Sequence, residues 1–156
     1  GVVFIQECAP KGGVVWMARK FYNEPYCKMK MHETVEDFND GTFSVTHSLY
    51  CNGEKNEVTV KARKTTFLPD KNTSDHYFTE LALGFGKGAD NQTMLYRIEH
   101  PAWEMYPLVS YGLSMNFGAV FGNRWAFLSN EKPVNVAFIK GSDVVVRPIL
   151  PLAKLR

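Results

Sequence analysis

Histidine and cysteine side chains are the groups in this chain best suited to metal binding or covalent chemistry. Their spacing gives no metal-ligand pattern and no Cys-x-x-Cys pair: His32, His47, His76, His100, Cys8, Cys27 and Cys51. The chain also has no Gly-x-Ser-x-Gly, P-loop or His-Glu-x-x-His sequence. A thiol nucleophile needs a basic neighbour, and no histidine lies near Cys8 in the sequence. We therefore expect no enzymatic activity, no metal ion and no cofactor.

The elements that would position these side chains are predicted from period-two alternation of apolar and polar residues. Alternating runs separated by turn residues cover residues 14–22, 27–36, 42–51, 57–67, 76–85, 93–99, 105–113 and 123–129. Every connection is short, whereas parallel neighbours need a crossover of about a dozen residues, so successive strands should be antiparallel. In the tail, prolines leave room for at most one short helix, between Pro133 and Gly141.

Eight antiparallel strands without a long covering helix protect their edges best by closing on themselves. We therefore predict an all-β fold, an eight-stranded up-and-down antiparallel barrel with a short irregular C-terminal tail. It should form a single domain over residues 1–156. A barrel of this size has room either for its own side chains or for one small ligand.

The second and third runs can be paired by requiring one apolar face, because a one-residue slip would move every side chain across the sheet. With Asn39 at the hairpin tip, Val35 faces Phe43. Apolar side chains then share the inward face, interrupted by Glu33 and His47. Each of these two polar residues needs the other, water or a polar atom of a ligand as its partner. The opposite face holds Lys28, Lys30, His32 and Thr34 against Tyr50, Ser48, Thr46 and Ser44.

The same register places Cys27 directly opposite Cys51, where cross-strand Cβ atoms lie about 4.5 to 5.5 Å apart, close to disulfide geometry. We predict a disulfide between them, with three reduced thiols as the alternative. Cys8 precedes the first strand, so it should be the odd thiol at the opposite end of the barrel, about 25 to 30 Å away.

Three segments carry sequence elements that can be compared with a known family. They are Gly13-Val14-Val15-Trp16, residues 98–111 (Ile-Glu-His-Pro-Ala-Trp-Glu-Met-Tyr-Pro-Leu-Val-Ser-Tyr) and Trp125-Ala126-Phe127-Leu128-Ser129. The first resembles the Gly-x-Trp element of lipocalins with one extra residue, the second their Thr-Asp-Tyr element and the next strand, and the third their last strand. Lipocalins end that strand with an arginine over the first tryptophan; this chain has Asn130, with Lys132 and Arg124 the nearest cations.

This resemblance, which covers residues 8–130, implies a calyx open at one end. Such a calyx would hold a hydrophobic ligand, for instance a retinoid, fatty acid, bilin, carotenoid or odorant, in a mostly apolar cavity with a few placed polar groups. A closed core filled by the same side chains is the alternative. The expected ligand-binding residues are Trp16, Met29, Met31, Glu33, Phe43, Val45, His47, Leu49, Val58, Val60, Tyr77, Leu81, Tyr96 and Tyr106.

Composition bounds the remaining classes of function. With 45% hydrophobic and 22% charged residues the chain is typical of a globular protein, and it contains no apolar stretch long enough to span a membrane. The net charge of +2 comes from scattered lysines and arginines, which argues against a nucleic-acid partner.

Two features favour secretion. The chain begins at Gly1 without an initiator methionine, as after removal of a signal peptide, and glycosylation sequons start at Asn72 and Asn91. The sequence therefore predicts an extracellular glycoprotein that binds and transports a small hydrophobic ligand, with homo-oligomer formation left open. The alternative is a secreted barrel that binds a protein partner through its loops, as an inhibitor or immune modulator. A lipocalin-type enzyme is a third, weaker candidate.

Overall fold

Short strands dominate the secondary structure. A computed structural model describes residues 2–3, 5–88 and 91–151, and these residues form eleven β-strands and three α-helices. The strands are β1 (Val2–Val3), β2 (Glu7–Ala9), β3 (Tyr26–Lys28), β4 (Lys30–Asp37), β5 (Thr42–Cys51), β6 (Glu54–Arg63), β7 (Leu83–Lys87), β8 (Thr93–Glu99), β9 (Leu108–Ser114), β10 (Val145–Val146) and β11 (Leu150–Pro151). The helices are α1 (Gly12–Met17), α2 (Ser74–Thr79) and α3 (Phe117–Phe121). A π-helical turn (Ala18–Tyr22) continues α1, and a 3-10 helix (Asn123–Asn130) follows α3.

Residue contacts divide the chain into two compact units, each assembled from separate segments. Unit 1 comprises the described parts of Gly1–Lys28, Leu68–Trp103 and Gly141–Arg156, and unit 2 comprises Met29–Phe67 and Glu104–Lys140. Each unit has its own sheet and its own buried side chains. The single domain over residues 1–156 stays a prediction.

Unit 1 contains two open sheets. In the larger one the strand order is β1-β7-β8-β10, and β11 also pairs with β8. β1 runs parallel to β7, whereas β7, β10 and β11 are antiparallel to β8. The smaller sheet pairs β2 with β3 in parallel, with Glu7 opposite Tyr26 and Cys8 opposite Cys27. The helical segment between β2 and β3 supplies the crossover that a parallel pair requires.

The first predicted strand, residues 14–22, is wrong because this segment is helical. Its apolar residues recur at i, i+3, i+4, i+7 and i+8, which is the helical period: Val14, Met17, Ala18, Phe21 and Tyr22. The helical segment ends at Asn23, whose φ of 49° lies in the left-handed region that asparagine tolerates.

Two further predicted strands are also partly or wholly helical. Residues 76–85 divide into α2 and β7, because Thr73 caps α2: its Oγ1 accepts a hydrogen bond from the backbone N of His76 at 3.3 Å. Residues 123–129 lie in the 3-10 helix, so the last predicted barrel strand is wrong. The tail, predicted to be irregular, contributes β10 and β11 to the sheet of unit 1.

Unit 2 is organised around an open antiparallel sheet of order β4-β5-β6-β9. The predicted strand 42–51 is confirmed as β5, and 93–99 in unit 1 is confirmed as β8. Predicted strands 57–67 and 105–113 correspond to β6 and β9 with shifted ends, and 27–36 is divided between β3 and β4. The sequence therefore predicted most accurately the strands in which apolar and polar residues alternate most clearly.

The register of the β4–β5 hairpin differs from the predicted one by two residues. Val35 pairs with Val45 instead of Phe43, and Glu33 pairs with His47. Because the shift is even, the same side chains stay together on each face of the sheet, although their partners change.

Local turn chemistry explains this shift. The hairpin tip is centred on Asp40 and not on Asn39, since the Asp40 carboxylate accepts hydrogen bonds from both the backbone N and the hydroxyl of Thr42, at 3.0 and 2.5 Å. Gly41, with φ 78°, provides the left-handed residue that the turn needs.

Neither unit contains a barrel. In the part of the chain that the structure describes, the strands form three separate open sheets, and none closes on itself. Closure fails because the first and last predicted strands are helical and because two strand pairs are parallel. The predicted eight-stranded barrel, and the lipocalin-like calyx with it, is wrong.

Tyr96 is the central buried side chain of unit 1. It is 2% exposed, and its Oη donates a hydrogen bond to the backbone O of Tyr22 at 2.7 Å. Gly86 on β7 lies against this ring: a Cβ there would stand 2.7 Å from Oη and 2.8 Å from a ring carbon. The close approach requires glycine at this position.

Gly86→Ala should lower the free energy of unfolding by about 1–3 kcal/mol, because the added Cβ must displace the Tyr96 ring. Chemical denaturation followed by intrinsic fluorescence measures the change. Gly13→Ala is the matched control: a Cβ at Gly13 in α1 meets nothing within 4 Å, so this variant should be neutral or more stable. Equal destabilisation by both substitutions would contradict the packing described for Tyr96.

Candidate functional site

A cavity of about 390 Å³ in unit 1 brings together two carboxylates and three tyrosines. Its polar lining consists of Glu7, Glu24, Tyr22, Tyr26 and Tyr96, and its apolar lining consists of Val14, Met17, Ala18, Ile98 and Val146. We call this cavity the carboxylate–tyrosine pocket. Its volume is in the range that accommodates small organic molecules.

One helical face supplies much of the wall. Four lining residues follow the i, i+3, i+4, i+8 relation along α1 and the π-helical turn, and so they lie on one side of the helix: Val14, Met17, Ala18 and Tyr22. On β8, Tyr96 and Ile98 are two residues apart and therefore share a face of the strand. Val146 of β10 is the register partner of Ile98.

Backbone hydrogen bonds hold the two acidic segments in place. The backbone N of Glu7 donates to the backbone O of Pro25 at 3.1 Å, next to the β2–β3 ladder. The backbone N of Glu24 donates to the O of Ala18 at 3.3 Å, and the N of Tyr26 donates to the O of Glu24 at 2.8 Å. Main-chain pairing therefore determines that both carboxylates reach the same cavity.

The pocket concentrates negative potential in a partly desolvated space. Burial raises the pKa of Glu24, and the neighbouring charge of Glu7 raises it further. Burial also raises the pKa of Tyr26, and a hydrogen bond to Glu7 adds to this effect. Burial and the charge of Glu24 raise the pKa of Tyr96. All three shifts favour the neutral, protonated form of these side chains, mainly because burial disfavours a charge on them.

A second cavity of about 430 Å³ in unit 1 shares Glu24 and Tyr96 with the carboxylate–tyrosine pocket. Its other lining residues come from the chain before β2, the turn before β3, and strands β7 and β8: Ile5, Asn23, Pro25, Phe85, Gly86, Lys87 and Thr93. The Nδ2 of Asn23 donates a hydrogen bond to the backbone O of Lys87. Glu24 and Tyr96 are thus the common wall of the two cavities.

The carboxylates and tyrosines of the pocket suit an organic cation better than a metal ion. Among the described residues, no group of three or more His, Cys, Asp or Glu side chains is placed to hold a metal. Two carboxylates can accept hydrogen bonds from an ammonium group, and tyrosine rings attract a cation to their faces.

The ligand-binding residues predicted from sequence do not share one cavity. Of that set, Tyr96 alone lines the carboxylate–tyrosine pocket. Trp16, Tyr77 and Leu81 also lie in unit 1, but Trp16 and Tyr77 are 61% and 54% exposed. The remaining ten belong to unit 2: Met29, Met31, Glu33, Phe43, Val45, His47, Leu49, Val58, Val60 and Tyr106. The prediction assumed a common barrel interior, which the fold does not provide.

Several of these residues pack the sheet of unit 2. Val45 and Val60 are buried register partners on β5 and β6. The ring of Phe43 contacts those of Tyr106 and Phe138, with centroid distances of 5.0 and 5.6 Å. These contacts contribute to the core of unit 2.

Glu33 and His47 do meet, as neighbours across the β4–β5 ladder. The Oε2 of Glu33 lies 3.4 Å from the Nε2 of His47, and their side chains are 58% and 55% exposed. Because both side chains reach solvent, they need no ligand to satisfy them, and such surface pairs contribute little stability.

The disulfide predicted between Cys27 and Cys51 is absent, and all three cysteines are free thiols. The Sγ of Cys27 lies 3.4 Å from that of Cys8, and the Sγ of Cys51 donates a hydrogen bond to the backbone O of Ala119 at 3.2 Å. Cys8, expected at the far end of a barrel, is instead the direct partner of Cys27 because β2 and β3 run parallel.

Both predicted glycosylation sites are exposed. Asn72 lies in the turn before α2, where its backbone N donates to Oδ1 of Asp70 at 2.9 Å. Asn91, with φ 58°, precedes β8. Their modification stays a prediction.

Sequence reasoning missed most of the pocket for two reasons. The helical spacing from Val14 to Tyr22 was the available signal for the apolar wall, and it was interpreted as a strand. Glu7, Glu24 and Tyr26 meet only through the parallel β2–β3 pairing, which leaves no local pattern in the sequence.

Fold and pocket together define a mostly β protein of two units, one of which has a cavity of small-molecule size. The family model for DUF2071, an uncharacterized conserved protein, matches residues 1–143, and the chain belongs to this family. No curated protein and no solved structure gives a significant match. The assignment to the lipocalins is therefore wrong, since the matching family is a different one and the sheets are open.

Helices are short throughout the described part of the chain. The three α-helices have five or six residues each, and no described helix is both long and apolar enough to cross a membrane.

Glu24→Gln should raise the melting temperature at neutral pH and leave it unchanged below pH 4.5, the ordinary pKa of a glutamate. A carboxyl with a raised folded-state pKa contributes stability below the unfolded pKa and loses that contribution as pH rises through the folded pKa. Glutamine keeps the size of the side chain and removes the charge that is penalised. Thermal melts across this pH range measure the effect.

Glu104→Gln in unit 2 is a control of opposite sign. Hydrogen bonding to Lys140, 2.8 Å away, lowers the pKa of Glu104, so its contribution is present at neutral pH and is lost as pH falls. This variant should therefore melt at a lower temperature than the wild type at neutral pH. A Glu24→Gln variant that behaved in the same way would refute the electrostatic description of the pocket.

Proposed function

We propose that this protein binds a small, largely apolar molecule carrying a positively charged amino group, in the carboxylate–tyrosine pocket. The observation that carries the proposal is one cavity of about 390 Å³ that combines an apolar helical wall with two mutually repelling carboxylates. The proposed role is binding and transport without catalysis, which keeps the small-molecule ligand predicted from sequence and moves it out of a barrel interior.

The apolar wall supports the first part of this proposal. Val14 and Met17 line the cavity and are 41% and 48% exposed. A ligand that covered them would gain about 25 cal/mol for each Å² of apolar surface removed from water. Ala18 also lines the cavity and is 8% exposed.

The two carboxylates support the second part of the proposal, the positively charged amino group of the ligand. Glu7 and Glu24 lie close enough for the charge of one to raise the pKa of the other, so the free protein holds an unfavourable negative potential. A bound ammonium group would relieve this repulsion, in a cavity that Tyr22 and Tyr26 also line. Fatty acids and bilins, which were among the ligands expected from sequence, carry carboxylates that the pocket would repel.

The test uses three naphthyl probes that differ only in the polar group. Isothermal titration calorimetry should show naphthylethylamine binding about tenfold more tightly than naphthylethanol, a difference of about 1.4 kcal/mol, and naphthylacetate binding least. Glu24→Gln should reduce the preference for the amine, whereas Glu36→Gln, on the exposed polar face of β4, should keep it. Val14→Trp should weaken all three probes by filling the cavity. Equal binding of the amine and the acid would refute the proposal.

A separate observation favours protein binding as a second candidate. Trp16 and Phe21, which are not among the lining residues of the pocket, are 61% and 64% exposed, and their rings meet edge to face at 5.7 Å. Exposed aromatic pairs are frequent anchors of protein interfaces. The protein-binding surface would then lie on a helical segment, whereas the sequence predicted binding through loops. Failure of every naphthyl probe to bind would make this candidate the stronger one.

We further propose an extracellular location, which the exposure of Asn72 and Asn91 supports. Expression through a eukaryotic secretory pathway should give a product whose electrophoretic mobility changes on treatment with an N-glycosidase. Asn72→Gln and Asn91→Gln should each remove one glycan, and Asn130→Gln, outside any sequon, should remove none. A secreted wild-type protein with unmodified mobility would refute the glycosylation.

A further inference from the structure

Cys8 and Cys27 form a pair of facing thiols on the β2–β3 ladder. They are direct register partners, their Sγ atoms lie 3.4 Å apart, and both side chains are partly exposed. Neighbouring strands are separated by about 4.8 Å, which is within the Cα separation that a disulfide spans. The sulfur atoms can therefore approach bonding distance without any change of strand pairing.

The position of this pair relates it to the carboxylate–tyrosine pocket. Side chains alternate along a strand, so the two thiols lie on the face of the ladder opposite to Glu7 and Tyr26. The segment between the cysteines contains α1 and the π-helical turn, which carry the apolar wall of the pocket. A covalent link between Cys8 and Cys27 would close this segment into a loop.

We propose that Cys8 and Cys27 are a reversible oxidation site, at which a disulfide joins β2 to β3 and holds the pocket in its ligand-binding form. The disulfide itself stands on the cysteine geometry alone. Its effect on binding rests on the proposed function of the carboxylate–tyrosine pocket.

The oxidant is a low-molecular-weight disulfide, R–S–S–R, of the glutathione type. The thiolate of Cys27 attacks one of its sulfurs, the R–S–S–R bond breaks, and the first R–S⁻ leaves and takes up a proton. The Cys8 sulfur then loses its proton to solvent and attacks Cys27, which releases the second R–S⁻ as R–SH. Two protein thiols are oxidised, and one small disulfide is reduced to two thiols.

The surroundings of the sulfurs agree with this order of attack. Burial, together with the neighbouring Cys27 sulfur, raises the pKa of Cys8 to about 11, so Cys8 is protonated at neutral pH. The Nε2 of Gln6 donates a hydrogen bond to the Sγ of Cys27 at 3.2 Å, and Gln6 also hydrogen-bonds Cys8, so Gln6 stabilises a thiolate at either position. Because burial disfavours the Cys8 thiolate, we assign Cys27 as the attacking thiol and Cys8 as the resolving thiol.

Thiol counting in denaturant tests the disulfide on the full chain. After treatment with oxidised glutathione and an acid quench, the wild type should fall from three free thiols to one and lose two hydrogens in intact mass, and dithiothreitol should restore all three. Cys51→Ser is the matched control and should fall from two thiols to none. Cys8→Ser and Cys27→Ser should form no internal disulfide. Cys8→Ser should carry glutathione on Cys27, the attacking thiol, whereas Cys27→Ser should carry much less on Cys8, whose pKa is raised by burial.

Three results would overturn the site: an unchanged thiol count, a peptide map that places the bond on Cys51, or a disulfide between two chains. If the bond forms as proposed, the oxidised protein should melt about 5 °C higher, because the loop across α1 is closed. Naphthylethylamine should then bind at least about twofold more tightly, because the wall is held in place.

The binding readout separates the two proposals. An internal disulfide with unchanged affinity for naphthylethylamine would overturn the effect on the pocket and leave the oxidation site standing. A probe that binds neither the oxidised nor the reduced protein would overturn the proposed function, while the thiol count would still decide the disulfide. Cys8→Ser should show no change of affinity with oxidant.

Discussion

The parallel pairing of β2 with β3 is the constraint on which the pocket of unit 1 depends. Parallel neighbours cannot be joined by a tight hairpin, so the chain between Ala9 and Tyr26 must cross over, and it does so as α1 and a π-helical turn. The crossover presents its apolar face to the cavity that Glu7 and Tyr26 also reach. One long-range pairing therefore places the acids, the tyrosine and the apolar wall together.

The electrostatics of the pocket follow from the same pairing. Glu7 and Glu24 are brought near each other by main-chain hydrogen bonds, and no lysine or arginine lines the cavity with them. Burial is the main cause of the raised pKa of Glu24, and the charge of Glu7 raises it further. Elsewhere in the described chain, acids such as Glu99 and Glu104 have basic partners and lowered pKa values. Acids left to repel each other in a cavity are characteristic of binding and catalytic sites.

Local signals account for the parts of the fold that the sequence predicted well. β5 and β8 have clear alternation, and their bounds were obtained to the residue. The hairpin register was missed by two residues because an apolar pattern determines only which face a residue occupies, whereas the Asp40–Thr42 hydrogen bonds determine the tip.

The site was harder to predict than the strands. In residues 14–22 the helical and alternating patterns overlap, and a single apolar segment of this length fits either. Glu7 and Glu24 are separated by a crossover, so their proximity depends on which strands pair. The cysteine pairing was mispredicted for a related reason. Cys27 and Cys51 are opposite each other in the predicted hairpin register, whereas the neighbour of Cys27 in the structure is Cys8. Cys8 lies on β2, a strand of three residues that is too short to show alternation in the sequence.

The two last strands of the described chain lie beyond the segment that matches the DUF2071 family model, since β10 and β11 follow residue 143. They pair with the side of β8 that β7 leaves open. Without them, the backbone N–H and C=O groups of β8 would form an exposed sheet edge, the surface through which β-proteins add strands from other molecules and aggregate. The tail therefore protects β8 from being an exposed edge strand. Its residue Val146 also lines the carboxylate–tyrosine pocket.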